Sequence, residues 1–188
     1  VTLADNHPDR NIFFKLLAKI FENKNCHLCG QNIKQQMILL AKHNIHLEAD
    51  FHDVILVQHL LTPEKHSYKL DFMSLDYFQY NMKFSSDFFK LKKDLSSFSN
   101  LDDKDKIFYS CERSDIIFQI YPLQQEKLSS EDLVEYYNKI EKPLVKVLAS
   151  IEEEGVYVDK EMLGQLSSNL GTKIEEISKH IFGISGYD

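Results

Sequence analysis

Apolar residues recur at helical spacing along much of the chain. The first such run opens at Pro8-Asp9-Arg10 and is stopped by Asn23, and it places Leu16 and Ile20 on one face. Since residues three or four apart share a helix face, this spacing predicts an amphipathic helix. The same pattern predicts further helices over residues 33–43, 75–80 and 107–123.

Short apolar runs between these helices predict strands. Val1 to Leu3 is one candidate, and Cys26-His27-Leu28-Cys29 is a second that leads into a turn at Gly30-Gln31-Asn32. A third run, Phe51 to Ile55, passes directly into a helix that ends at Leu61. Strand, turn and helix in this order are typical of an α/β fold.

The last third of the chain is predicted to be helical. Ser129 is expected to cap a long helix, with Pro143 marking a kink or a change of helix inside it. Gly155 is a favoured residue just beyond a helix end, and Asp159 is suited to cap a last helix over residues 160–182.

Composition narrows the class of protein. The 188 residues include 43% hydrophobic and 27% charged residues, which excludes a disordered acidic tail and a low-complexity chain. With 22 basic and 29 acidic residues the net charge is −7, so charge alone does not favour strong nucleic-acid binding. Only six glycines and four prolines are present, which favours helices over a many-stranded sandwich.

The chain carries no signal for secretion or membrane insertion. No apolar run approaches the roughly 20 residues that cross a bilayer, and the first residues lack the basic start and apolar core of a signal peptide. Three cysteines are an odd number, which argues against a disulfide framework. These features predict a reducing, cytoplasmic location. The absence of an initiator Met suggests a piece of a longer protein.

Three stretches together resemble one family. They are Gly30-Gln31-Asn32-Ile33-Lys34 after a strand, Tyr109-Ser110-Cys111-Glu112-Arg113-Ser114-Asp115 at a helix start, and a tail with Glu141-Lys142-Pro143-Leu144 and Gly155-Val156-Tyr157-Val158-Asp159. In this order they resemble the 3′–5′ exonuclease domain of a family A, DNA polymerase I-like DNA polymerase, running into the start of the thumb.

The resemblance implies a fold. It implies an α/β, ribonuclease H-like domain over residues 1–128, with a mixed sheet flanked by helices and its first strands missing. Residues 129–188 would then be long helices that connect to the polymerase thumb. It also implies that a parent protein is a DNA-directed DNA polymerase acting in replication and repair, with DNA as partner and Mg²⁺ as its cofactor. We expect a monomer that does not associate with membranes.

The family's nuclease chemistry needs clustered carboxylates, because two divalent cations activate the water and stabilise the leaving oxygen. The family's carboxylate after the Gly-x-Asn turn falls here on Gln36, and its helix Asp falls on Arg113. The family's first-strand Asp-x-Glu pair would precede residue 1. Glu48-Ala49-Asp50 offers no convincing substitute. Tyr109 is retained, and Asp53 matches a family Asp outside the metal cluster.

These departures predict a nuclease centre without metals, so no residue is expected to be catalytic. Asn32 and Lys34 match family positions near the substrate strand and predict weak DNA contact. The alternative is an active exonuclease in which neighbouring acids, Glu112 or Asp115, rescue the site. Asp115 turns away from Arg113 by about half a helical circle, which weighs against rescue.

Two further patterns leave alternatives open. Cys26 and Cys29 form a C-x-x-C pair that would need two more ligands to hold zinc, for which Cys111, His43 and His46 are candidates. A buried core strand is the favoured interpretation. Aromatic and basic residues interleave from Lys83 onward and predict either single-strand contact or a loop docked on the core. Its members include Phe84, Phe88, Phe89, Lys90, Lys92, Lys93 and Phe98.

Overall fold

The computed structural model describes residues 9–83 and 101–186. The chain divides into two compact units, residues 1–153 and residues 154–188. In the first unit the elements are α1 (Arg10–Phe21), β1 (His27–Gly30), α2 (Ile33–Ala41), β2 (Asp50–Asp53), α3 (Val54–Leu61), α4 (Leu70–Phe78), α5 (Asp103–Ser130), α6 (Val134–Tyr136), a π-helical turn (Tyr137–Glu141) and α7 (Lys142–Glu154). Beyond the unit boundary lies α8 (Lys160–Ser185).

The described sheet is a parallel pair. β1 and β2 lie in register from His27 opposite Asp50 to Gly30 opposite Asp53, and α2 forms the crossover between them. The predicted order of strand, turn and helix is confirmed for β1, and the predicted direct passage from strand to helix is confirmed for β2, which is followed at once by α3. The sheet is smaller than the mixed sheet expected, since the described residues contribute two strands and are otherwise mostly helical. The candidate strand at Val1 to Leu3 lies outside the described residues.

Apolar side chains pack in three clusters around this pair of strands. The largest joins α3, α4 and α5 through Val54, Leu70 and Ile120, each with no exposed surface. A second packs Ile33 and Phe51 against Val145 of α7. The third joins Val57, Leu128 and Tyr137. The strands and α7 therefore share one cluster, and the three helices after β2 share another.

α5 is longer than its sequence pattern predicts. It runs to Ser130, so the expectation that Ser129 begins a new helix is wrong. Leu128, only 1% exposed, keeps the last turn of α5 packed in the third cluster. Pro122 lies inside the helix on its exposed side, between the buried residues Ile120 and Gln124.

The predictions for the end of the chain are confirmed. The helix type changes from π to α at Lys142, next to Pro143, which has no N–H to donate into the preceding turn. Gly155 has φ +75°, and the side chain of Asp159 caps α8 by accepting from the Met162 N–H at 2.9 Å. Within residues 9–83 and 101–186, no helix combines the length and apolar character of a membrane span.

We expect Ile120→Ala to lower the free energy of unfolding by about 2–5 kcal/mol, because it opens a cavity between α3, α4 and α5. The matched control is Ile107→Ala on the same helix, where the side chain is 65% exposed and the loss should stay near 0.5 kcal/mol, the usual order for a surface change. Urea denaturation measures both. Equal losses would contradict the position of the core.

Candidate functional site

The candidate site begins where the two strands end. Gly30 and Asp53 are partners at the carboxyl ends of β1 and β2, and the turn after Gly30 leads into α2. A Cβ on Gly30 would lie 2.4 Å from Ile33 Cδ1, so any larger residue there would require the end of the Ile33 side chain to move. Asn32 has φ +53°, a left-handed conformation that asparagine tolerates better than most residues.

The carboxylate of Asp53 caps two helices at once. Its oxygens accept from the N–H of Ile33 at 2.6 Å and of Asn32 at 3.2 Å, at the start of α2. They also accept from Ile55 at 3.0 Å and Leu56 at 3.4 Å, at the start of α3. Burial raises the pKa of Asp53, while these four donors act in the opposite direction. All four of these hydrogen bonds come from backbone N–H groups, so the role of this carboxylate is structural.

The two positions that the resemblance singles out, Gln36 and Arg113, both bond to Gln31. The Gln36 side-chain amide donates to the Gln31 carbonyl oxygen at 2.8 Å, and Arg113 Nη2 donates to Gln31 Oε1 at 3.0 Å. The Arg113 guanidinium carbon lies 5.0 Å from the centre of the Tyr109 ring. The structure thus brings together residues about 80 positions apart that the resemblance had singled out. Sequence reasoning missed Gln31, although it lies inside the Gly-Gln-Asn motif.

The predicted DNA-contact residues lie on the same turn but have protein partners. Asn32 Nδ2 donates to Gln35 Oε1 at 2.9 Å. The Lys34 ammonium reaches Glu152 Oε1 on α7 at 2.5 Å, and about a third of the lysine side chain is exposed. An ion pair this exposed contributes little to stability and can exchange its partner.

The acids considered as replacements have other partners. Asp50 bonds to His27 at 2.9 Å and to Lys142 at 2.7 Å, and Glu48 lies 3.9 Å from Lys24. Partial burial acts to raise the pKa of Asp50, but the Lys142 hydrogen bond and charge hold it below its ordinary value. None of these hydrogen bonds and ion pairs involves Gln31.

Glu112 and Asp115, the acids beside Arg113, bond to residues other than Gln31 and Gln36. Glu112 Oε1 accepts from the Tyr80 hydroxyl at 2.7 Å and from the Lys83 N–H at 3.0 Å, and Asp115 accepts from Gln119 at 2.8 Å. Among residues 9–83 and 101–186, no three His, Cys, Asp or Glu side chains are grouped so that they would hold a metal ion.

Cys29 belongs to the core strand that the sequence favours. Its thiol donates to the Ile117 carbonyl at 3.6 Å, and burial, aided by the charge of Asp53, raises its pKa to about 11. Cys26, Cys29 and Cys111 are free thiols. Within the described ranges, no third His, Cys, Asp or Glu is grouped with Cys26 and Cys29 so as to hold a metal ion. The aromatic and basic run from Phe84 to Phe98 lies outside the described residues.

A buried polar network that sequence reasoning missed lies beneath the strands. His52 has no exposed surface, and its Nε2 donates to Gln124 Oε1 at 2.9 Å while Nδ1 accepts from Gln125 at 3.0 Å. Gln124 in turn donates to Gln58 Oε1 at 3.1 Å, which also accepts from the Tyr77 hydroxyl. Burial lowers the pKa of His52 to about 4, so the ring is neutral.

A solved structure shares the fold of this chain. The chain is similar over its whole length to 28% of a chain described as the POL domain of Pol1 from M. smegmatis in complex with DNA primer-template and dNTP. The TM-score is 0.68 at 19% sequence identity, so this likeness concerns the fold. No protein-family model matches the chain.

Curated relatives define the similarity further. The chain is 25% identical over 185 residues to DNA polymerase I of Rhizobium leguminosarum and 27% identical over 181 residues to DNA polymerase I of Borreliella burgdorferi. These matches cover 98% and 96% of the chain but 18% and 19% of the relatives. The chain is therefore DNA polymerase I-like over nearly its whole length, and it spans about a fifth of these relatives.

We expect Asp53→Ala to cost about 2–4 kcal/mol, because it removes the caps of two helices at about 1–2 kcal/mol each. Asp53→Asn keeps one acceptor oxygen and should lose about half as much. The control is Asp102→Ala, which removes the single exposed cap of α5, where Asp102 accepts from Asp105 N–H. Urea denaturation compares the three. A loss for Asp53→Ala no larger than for Asp102→Ala would contradict the double cap.

The His52 network predicts a pH dependence of stability. The folded-state pKa is about 4, below the ordinary 6.5, so the stabilising contribution is complete above pH 6.5. Below pH 6.5 the unfolded chain takes up a proton that the folded ring resists, and stability falls by up to about 3 kcal/mol as the pH approaches 4. Urea denaturation from pH 4 to pH 8 measures this fall.

The matched variants for this experiment are His52→Gln and His46→Gln. The first removes the titrating ring and should flatten the pH profile. The second changes an exposed imidazole and should leave the wild-type slope intact. A wild-type slope retained in His52→Gln would show that the buried ring does not carry the effect.

Proposed function

We propose that this chain is the nuclease-like region of a DNA polymerase I-like protein, and that it does not hydrolyse DNA. In this proposal the domain is ribonuclease H-like, supports the polymerase body and guides DNA weakly. The observation that carries it is the Arg113–Gln31–Gln36 group at the carboxyl end of the strands, where the family chemistry requires acidic oxygens.

Charge is the physical obstacle to nuclease activity. Hydrolysis by two metals needs carboxylate oxygens to hold divalent cations. Gln36 is neutral and uses its amide as a donor to Gln31. Arg113 is positive and would repel a divalent ion by about 4 kcal/mol per unit of ionic charge at about 4 Å, in the partly screened surroundings of a protein surface. The Tyr109 face holds the guanidinium in place by a cation–π contact.

The names of the relatives support the polymerase context. The curated relatives are named DNA polymerase I, and the similar solved chain is described with DNA primer-template and dNTP. We therefore propose that a parent protein acts on DNA in replication and repair in the cytoplasm, as a monomer. Its polymerase reaction would use Mg²⁺ held by residues beyond those of this chain. Lys34 and Asn32 would contact a DNA strand weakly.

A nuclease assay tests the proposal. Purified chain is incubated with 5′-labelled single-stranded DNA in Mg²⁺ or Mn²⁺, and products are resolved on a denaturing gel. We expect no shortening from the 3′ end above the rate without protein, because the altered centre cannot hold the metal pair. An active 3′–5′ exonuclease on the same substrate serves as the positive control.

The double variant Gln36→Asp/Arg113→Asp sharpens the result. It restores two carboxylates and removes the cation, but the family's first-strand pair is still lacking, so we expect it to remain inactive. Metal-dependent trimming by the unaltered chain would overturn the proposal and favour an active exonuclease. Trimming by the double variant alone would show that these two positions are sufficient to silence the site.

A further inference from the structure

Basic residues are concentrated near the first two helices of a chain that is acidic as a whole. Residues 10–47 contain six Lys or Arg and one Glu, whereas the full chain has a net charge of −7. The sequences of α1 and α2 contain no Asp or Glu at all. This asymmetry gives that part of the surface a positive potential, which attracts anionic partners that the rest of the chain repels.

A groove lies between the first half of α1 and the residues that follow α2. Its volume is about 470 Å³, and no Asp or Glu is among the described residues that line it. Lys15 and Lys42 bring ammonium groups to the groove, and Asn11 and Asn44 bring side-chain amides. All four residues are exposed. The groove therefore presents positive charge and N–H donors to solvent without a carboxylate beside them.

The two ammonium groups of the groove have no partner of their own. Within residues 9–83 and 101–186, neither Lys15 nor Lys42 forms an ion pair or a side-chain hydrogen bond. Lys34, on the same helix as the end of the groove, is by contrast paired with Glu152 at 2.5 Å. In a chain with more acids than bases, two lysines left without carboxylates in one groove indicate an anion supplied from outside.

The helix ends beside the groove do not cancel its charge. The end of α2 presents a partial negative charge of about half a unit, and the start of α1 presents a partial positive charge of about the same size. Asp9, the N-cap residue of α1, is followed at once by Arg10, which balances it. The full charges on Lys15 and Lys42 therefore decide the sign of the potential in the groove.

The aromatic side chain in the groove is already occupied. The Phe14 ring is stacked on the His43 ring with 4.1 Å between their centres, and the Arg10 guanidinium carbon lies 5.5 Å from the centre of the Phe14 ring. These contacts fix the wall of the groove, so the Phe14 ring is not offered to a base. Recognition here falls to ammonium and amide groups, which bind phosphate oxygens.

We propose that this groove binds the phosphodiester backbone of a single strand of DNA. The Lys15 and Lys42 ammonium groups would each neutralise a phosphate, and the amides of Asn11 and Asn44 would donate to phosphate oxygens. A concave basic groove encloses one flexible backbone, which is how proteins hold single strands without sequence preference. The contact is expected to be independent of base sequence.

The groove is separate from the nuclease-like centre. It lies at the far end of α2 from Lys34, about 12 Å along the helix axis, and neither Gln36 nor Arg113 lines it. The inference rests on the proposed function only for the choice of DNA as the polyanion.

Fluorescence anisotropy of a 5′-labelled oligothymidylate measures binding by the full chain. We expect the affinity to fall as salt rises, and a methylphosphonate oligothymidylate, whose backbone is uncharged, not to bind. The variant Lys15→Gln/Lys42→Gln should bind roughly tenfold more weakly at about 50 mM salt. The slope of log Kd against log salt concentration should fall by about 1.4, since each phosphate contact to a single strand contributes about 0.7.

The matched control is Lys69→Gln/Lys146→Gln. It removes the same two charges from exposed positions that do not line the groove, so it should leave the affinity and the salt slope close to those of the unaltered chain. Two-dimensional amide spectra of labelled protein locate the contact independently of any variant. The oligothymidylate should shift signals of residues 11–18 and 42–45.

Equal losses in the two double variants would overturn the proposal, because binding would then follow net charge rather than the groove. Equal binding of the charged and uncharged strands overturns it as well, and so does a lack of binding by the unaltered chain. Circular dichroism of each variant confirms that a lost signal is not lost folding.

The variant Lys34→Gln separates this inference from the proposed function. A loss of DNA binding in Lys34→Gln but not in Lys15→Gln/Lys42→Gln would overturn the groove and support the contact at the turn after β1. Trimming of DNA in the nuclease assay would overturn the proposed lack of hydrolysis without bearing on the groove. The two proposals therefore fail separately.

Discussion

The double cap by Asp53 is the interaction on which the rest of the site depends. Its carboxylate joins the turn after β1 to the start of the helix after β2, and it satisfies four backbone donors that would otherwise be buried without partners. By fixing the turn it places the Gln31 carbonyl and side chain where Gln36 and Arg113 bond to them. The Arg113–Gln31–Gln36 group therefore rests on a turn that Asp53 holds in place.

The polar atoms of the Arg113–Gln31–Gln36 group bond to one another. Gln31 accepts from an amide and from a guanidinium, so the polar groups at the strand ends are paired within the protein. Carboxylates there would repel one another unless cations were present, whereas amide and guanidinium groups need no ion. Glu112 is the contrasting case, because one of its oxygens is buried without a partner in the described chain.

A layer of buried polar side chains lies beneath these sites and favours one arrangement of the helices. His52, Gln124, Gln58 and Tyr77 form one chain of hydrogen bonds between elements that apolar packing also joins. Each group has its partner, and a satisfied network of this kind penalises any other arrangement of the same helices. The neutral form of His52 follows from its place in this layer, since a charged ring would lose a partner and its burial would be costly.

Local sequence signals predicted the elements whose ends are encoded within a few residues. The strand before Gly30, the turn, the helix end at Gly155 and the cap by Asp159 all have such signals, and the structure contains them. The motif that begins at Gly30 singled out Gln36 and the motif around Tyr109 singled out Arg113, although the effect of these residues on activity is a proposal. The extension of α5 to Ser130 was missed, because it depends on the burial of Leu128 against Val57 and Tyr137.

By itself the sequence determined which residue types stand at positions 36 and 113 and where helices such as α8 are capped, since both are properties of short stretches. Only the tertiary structure decided that Gln31 joins Gln36 to Arg113 and that Asp53 serves two helices. Two of the contacts involved, Asp53 with Ile33 and Arg113 with Gln31, join residues 20 and 82 positions apart. Their energies depend on burial and distance, which exist only after the helices have packed on the strands.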